Sequence, residues 1–436
     1  ATAAMENGAL AEAAYFFQVV VDNETDPKER AEATADLAGL LHTKHDIARA
    51  NPLLEIAATR LRAAGNNNRA LRMDIHRVTS LAEIGAASIA DLLERLTTIK
   101  SSARHAEDWE ALALALDAEL HLLHRGGLVE RIPPLFAEMR QSASKPDPAA
   151  SCVANASLAM NVLFGDADEG LRCAEAAVRT AERAADPGLI LLAYSRLVVV
   201  HGYRGSLYLP GTADLLKRAN QLADSSGDLQ LRFDLRCNQG VFYLDAGDLD
   251  QADFAIKEAA ALIEGVEAPR MRATLLCNAG ELSLEQHDFE AAREHFLGAE
   301  AALRVTSPPW YASVTSAGIG LAALNAGAIT EATRREADLP PDSTKWHFDP
   351  ILILTFRARL LQRRRQPLAA ITFLRNQGDA LVDRFPLPLI RTEILACHIG
   401  HRAGIAPDRG SYNRALEIAR DLRLSTRISE LERYSV

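Results

Sequence analysis

DLRCNQGVFYLDAGDLDQADFAIKEAAALIE (residues 234–264) and TLLCNAGELSLEQHDFEAAREHFLGAEAA (residues 274–302) are one unit written twice. Gly240 maps onto Gly280, Ala252 onto Ala292, Ala259 onto Ala299, and Cys237-Asn238 onto Cys277-Asn278, each about 40 residues later. A fixed period in this range is the signature of a solenoid. Each unit reads as two helices and a corner. The first helix carries a small residue at its centre, where a neighbour approaches closely. It stops at Gly247, or at His287 in the next copy; glycine tolerates the left-handed conformation that ends a helix. Asp248 and Asp288 follow, placed to accept from the free amides of the second helix. That helix sets Ala252, Ile256 and Ala259, or Ala292, Phe296 and Ala299, on one face at spacings of four and three.

The order small residue, aromatic, glycine corner, alanine, bulky apolar, alanine resembles the tetratricopeptide repeat, with Tyr243 and Gly247 at that family's aromatic and turn positions. The usual repeat has 34 residues, so each hairpin here is longer by roughly six. That long variety is similar to the repeats of bacterial signalling regulators related to the maltose-regulon activator. The resemblance implies an all-α, right-handed α-solenoid, and following the pattern along the chain predicts about ten to eleven helical hairpins and no sheet.

Working outward, Ala50, Leu54 and Ala57 fall at second-helix positions, as do Ile89, Leu93 and Leu96, then Ile132, Phe136 and Met139 with Pro133-Pro134 in the first turn, where proline is tolerated. Gly170, Ala174 and Ala177 follow, and Thr212, Leu216 and Ala219. Residues 1–26 read as the second half of a repeat, with Gly8, Ala13, Phe17 and Val20 in register. Seven residues before Gly8 do not hold a first helix, so the expectation is a chain that begins inside an array; a native start with a frayed cap is the alternative. The register runs to Ala332. Residues 337–350 (ADLPPDSTKWHFDP) read as an irregular insertion. The expected organisation is therefore a superhelix over 1–336, the insertion, C-terminal repeats over 351–423 centred on Ala370 and Leu374 and on Leu416 and Ala419, and a capping or linker helix over 424–436.

Composition bounds the function. The 436 residues carry a net charge of −10, which argues against a nucleic-acid binder. No run of 18 apolar residues is present, so no membrane span is expected. The start lacks the pattern of a secretory signal. Five scattered cysteines without a CxxC fit reduced structural thiols, and a cytoplasmic location is expected.

First helices line the concave side in repeats of this kind. Asp234, Cys237, Asn238, Val241 and Asp245 share one helix face; one repeat on, the face is Thr274, Cys277, Asn278, Glu281 and Glu285; one repeat back, it is Tyr194, Leu197, His201 and Arg204. An asparagine here resembles the one with which peptide-binding members of the family hold a ligand backbone, its amide offering a donor and an acceptor. Ligand contact and hydrogen bonding within the stack both fit Asn238 and Asn278. The candidate binding residues are Tyr194, His201, Arg204, Asp234, Asn238, Asp245, Asn278, Glu281 and Glu285.

Three His-x-x-His pairs, His42/His45, His121/His124 and His398/His401, lack the glutamate of HExxH and lie near helix ends; no metal site is expected from them. The run Arg363-Arg364-Arg365, with Arg357 and Arg359 upstream, reads either as a solvated helix terminus or as a site for an acidic partner or phosphate. Trp310-Tyr311 and Trp346-His347 flank the irregular region. Phosphate-binding loops and nucleophile motifs are missing, so no catalytic residue and no cofactor are expected. The resemblance implies a sensor or scaffold that binds a peptide, a protein partner or a small effector in its groove, with no direct nucleic-acid or membrane contact. The alternative is the regulatory half of a signalling enzyme, for example a diguanylate cyclase, with its catalytic domain beyond Val436. That alternative draws on Leu424, Ile428, Leu431 and Tyr434, an apolar stripe able to pair with a second helix and dimerise the chain.

Overall fold

The computed structural model describes residues 10–164, 166–303, 309–339, 350–381 and 385–435. A single helix, α1 (Leu10–Asn23), precedes ten antiparallel pairs. These are α2 (Pro27–Thr43) with α3 (Ile47–Ala63), α4 (Asn67–Glu83) with α5 (Ile89–His105), α6 (Trp109–Arg125) with α7 (Ile132–Ala143), and α8 (Pro148–Leu158) with α9 (Ala167–Ala184). Then come α10 (Pro187–Tyr203) with α11 (Thr212–Ser226), α12 (Leu229–Ala246) with α13 (Leu249–Leu262), and α14 (Pro269–Glu285) with α15 (Phe289–Leu303). The last are α16 (Pro309–Asn325) with α17 (Ile329–Ala337), α18 (Ile351–Arg363) with α19 (Pro367–Leu381), and α20 (Pro386–Ala403) with α21 (Arg409–Asp421), closed by α22 (Ser425–Glu432). No strand occurs among the described residues. The chain is an all-α solenoid of hairpins of the tetratricopeptide type. Most of the expected insertion, 340–349, and the Trp346-His347 pair lie outside the described residues, as does Gly8.

The corners explain the period. A left-handed residue ends nearly every first helix: His45, Gly85, Gly127, Gly205, Gly247, His287, Gly327, Arg365 and Gly404, all with φ between 59° and 84°. The next amide donates back across the turn, Asp248 N to Tyr243 O and Asp288 N to Ser283 O, both at 2.9 Å. This bond satisfies a carbonyl that the helix end would orphan. Asp248 and Asp288 then cap the second helix, accepting from Gln251 N at 3.3 Å and Ala291 N at 3.0 Å.

Between corners, the expected second-helix residues form the core. Ala252, Ala259, Ala292, Phe296 and Ala299 are fully buried, and so are Ala50, Leu54 and Ala57. Two residues differ: in α1 it is Val21, not Val20, that is buried, and Ile89 at the start of α5 is only half-buried. The small first-helix residues admit those side chains. A Cβ on Gly280 would lie 2.8 Å from the Phe296 ring, and one on Gly318 in the next repeat 2.5 Å from it. One ring thus fills the space between two successive inner helices, and burying it contributes roughly 1.5–3 kcal/mol.

Distant inner helices also meet across the superhelix. Glu83, at the end of α4, holds Arg125 of α6 and, at 2.6 Å, Arg270 at the start of α14. Asp245, at the end of α12, holds Arg391 of α20. Arg427 of α22, itself buried, donates to the carbonyls of Leu244 (2.8 Å) and Asp245 (2.9 Å). A guanidinium there satisfies the last carbonyls of α12 and opposes the negative helix end. The Tyr203 ring meets Phe385 with centroids 5.7 Å apart.

Candidate functional site

The corner register aligns the inner face. Six and two residues before each left-handed corner stand Val241 and Asp245 on α12, Glu281 and Glu285 on α14, Leu321 and Asn325 on α16, Arg359 and Arg363 on α18, and His398 and Arg402 on α20. Spacing of four keeps each pair on one helix face. The interior therefore changes from acidic through neutral to basic over five successive repeats.

A cavity of about 470 Å³ sits at this change of sign. Glu281, Leu284 and Glu285 line it from α14, Leu321 and Asn325 from α16, Leu352, Thr355 and Arg359 from α18, and Arg391, His398 and Arg402 from α20; His287 and Phe289 close one edge. Its size is that of a small-molecule or short-peptide site.

The charges are unevenly spent. Arg391 bridges Asp245 and Glu285, the latter at 2.7 Å. Burial works to raise the Glu285 carboxyl, but Arg391 and Arg427 hold it below the usual carboxylate range. Glu281 has no ion-pair partner among the described residues; burial pushes its carboxyl up to about 7, Arg391 opposes the rise, and Asp245 and Glu285 add to it. On the other side Arg359 bonds the neutral Gln362 at 3.1 Å and meets no carboxylate among the described residues. Burial, then Arg402 and Arg363, hold the Arg359 guanidinium below its ordinary range. Burial followed by Arg359, Arg402 and His401 lowers His398, whose Nδ1 lies 3.1 Å from the Tyr434 hydroxyl.

Of the residues expected from sequence, Glu281 and Glu285 line the cavity and Asp245 adjoins it through Arg391. The rest lie elsewhere on the inner surface. Asn278 donates to the Cys237 carbonyl at 3.2 Å and is buried, so it ties two repeats together. Asn238 is half-buried, and its side chain makes no hydrogen bond within the described residues. Asp234 pairs with Arg270 at 3.7 Å, Arg204 with Asp168 at 2.7 Å, Tyr194 donates to Glu182, and His201 meets Ser206.

Four other sequence features resolve. His45 is a left-handed corner residue beyond α2, and His42 Nδ1 lies 3.0 Å from Ser80 Oγ. Of the arginine run, Arg363 donates to Leu324 O, Arg364 pairs with Glu336, and Arg365 forms the corner. Leu424 and Leu431 of the terminal stripe are buried against α21, with Ile428 packed beside them. Tyr311 is buried in the core between α14 and α16. No described helix is long and apolar enough to cross a membrane.

No family profile matches the chain, and no curated protein matches it. Among solved structures it is similar to Rap protein complexed with competence and sporulation factor, at 12% identity over 84% of this chain and 99% of that one, with a TM-score of 0.59. It is also similar to NprR in complex with its cognate peptide NprX, at 13% identity over 81% of this chain and 99% of that one, with a TM-score of 0.52. At such identity the likeness concerns the fold.

Proposed function

We propose that the chain is a non-catalytic binding module of a bacterial signalling or regulatory system, working in the cytoplasm and taking a short peptide, or a peptide segment of a partner protein, inside its superhelix. The observation that carries this reading is the cavity between α14, α16, α18 and α20. Its walls combine Leu284, Leu321, Leu352 and Phe289 with a carboxylate, that of Glu281, and two guanidiniums, those of Arg359 and Arg402, for which the described residues supply no ion-pair partner. Apolar walls with a few convergent charged groups suit a ligand having both side chains and polar ends. The two similar structures named above, each solved with a bound peptide or factor, support the same class. The five free cysteines, four of them buried, agree with a reducing compartment.

The test is equilibrium dialysis of the purified chain against a synthetic pool of short random peptides, with bound species identified by mass spectrometry. Saturable enrichment of a subset is expected. Thr355→Trp, which fills the cavity from its wall, should abolish it at an unchanged helical spectrum. Enrichment that survives this substitution, or none at all, would refute the proposal.

A further inference from the structure

The short helix α22 is seated on elements far from it in the chain. Arg427, 4% exposed, donates to the Leu244 and Asp245 carbonyls at the end of α12. Leu424 and Leu431 share one buried cluster with Leu387 and Ile390 of α20 and Leu416 of α21. The Gly247 corner is shaped to this seat: a Cβ there would stand 3.0 Å from Thr426 Cγ2 and 3.2 Å from Arg427 Nε. The seat therefore exists only while α20 and α21 lie against the end of α12.

The cavity has the same requirement. Both α14 and α20 line it, although α16 and α18 stand between them in the chain, and Arg391 of α20 is what holds Asp245 of α12 and Glu285 of α14. Two contacts join this wall directly to the terminal segment. Asp245 gives its carboxylate to Arg391 and its carbonyl to Arg427. His398 lines the cavity, and its Nδ1 lies 3.1 Å from the hydroxyl of Tyr434, two residues beyond α22. Arg427 and Tyr434 themselves lie outside the cavity lining.

We propose that the cavity and the seat of α22 are two sites on one junction, so that a peptide held in the cavity tightens the terminal helix onto α12. The assignment rests on the peptide-binding reading above and adds its regulation: occupancy of the groove is reported at α22, outside the groove. The sign follows from linkage. A ligand that touches α14, α16, α18 and α20 together binds best when α20 lies against α14, and α22 reaches the α12 carbonyls in that same arrangement. Two sites that favour one arrangement strengthen each other, by an equal factor in each direction.

The experiment measures hydrogen exchange at residues 425–432 of the full chain, with and without the pool of short random peptides at the concentration that saturates enrichment. Exchange in α22 should slow roughly fivefold or more in the pool, and should not respond in Thr355→Trp, whose cavity is filled. Arg427→Gln unseats α22 without altering the cavity wall, and peptide enrichment should fall in it by a similar factor. Tyr434→Phe removes the His398 contact and keeps the ring, so it tests the same reciprocity should Arg427→Gln fail to fold; enrichment should fall there too, at an unchanged helical spectrum. Exchange in α22 that is unchanged or faster while peptides are enriched overturns the coupling and leaves peptide binding standing, and so does undiminished enrichment in both variants. Slowing that persists in Thr355→Trp would place the ligand outside the cavity and overturn the proposal as well. No enrichment by the native chain overturns the binding reading, and the coupling with it.

Discussion

Replacing Arg391 with glutamine should destabilise the chain by an amount that depends on pH. Arg391 joins α20 to the ends of α12 and α14, and its partner Asp245 is 7% exposed while Glu285 is 31% exposed. Removing one member of a buried pair typically costs about 3–5 kcal/mol, because the other charge is left unmatched. Water partly screens Glu285, so the lower end, about 3 kcal/mol, applies here. Two shifts set the pH dependence. Glu285 is held low in the folded chain, so its contribution is present above the ordinary carboxylate range and is lost on acidification. Glu281 is raised to about 7, so the folded state loses stability as pH rises through that value, and without Arg391 it loses more. Both signs make the gap between the native chain and Arg391→Gln widest near about pH 8 and narrower near about pH 5. Urea unfolding followed by circular dichroism at the two pH values measures it, with hydrogen exchange in α20 as a local readout. A gap that is the same at both values would refute electrostatic coupling between Arg391 and the acidic cluster.

Asn278→Ala should cost about 1 kcal/mol, through its bond to the Cys237 carbonyl, whereas Asn238→Ala should stay within about 0.5 kcal/mol of the native chain; equal losses in urea melts would contradict the asymmetry. Gly202→Ala places a Cβ 2.1 Å from the Phe242 ring and should cost roughly 1–3 kcal/mol. At Gly39, in the interior of α2, a Cβ meets nothing within 4 Å, and the same substitution should instead stabilise by about 0.5–1 kcal/mol. Thermal melts of the two variants should move in opposite directions.

The period of the Gly247 and His287 corners, their aspartate caps and the alanine faces are local chemistry, and each stands in the sequence at the spacing that the fold uses. The site is only half legible in the same way. Glu281 and Glu285 lie in the cleanest repeats, so their inward face could be inferred. Arg359 and His398 appear in the sequence only inside a basic run and a histidine pair, and nothing draws attention to Arg391 or Arg402. Counting back from the corners would have aligned all of these except Arg391 with Glu281 and Glu285. Which arginine is already matched is a different kind of fact. Arg391 and Asp245 are 146 residues apart, and their meeting depends on how far the superhelix has turned. Asn238 and Asn278, identical in type and register, differ for a related reason: only Asn278 bonds the carbonyl of the preceding repeat.

Repeat arrays ordinarily touch only their neighbours, and so can fray one unit at a time from either end. The bonds from Glu83 to Arg270, 187 residues on, and from Leu244 to Arg427, 183 residues on, change that. They raise the contact order of a fold that is otherwise built from local contacts, which slows the last stage of folding. The entropy of closing such long loops grows only with the logarithm of their length, so the added cost is modest. In return the terminal helix cannot peel away without first releasing the carbonyls of α12. Loss of the last repeats and loosening of the middle ones become a single cooperative event.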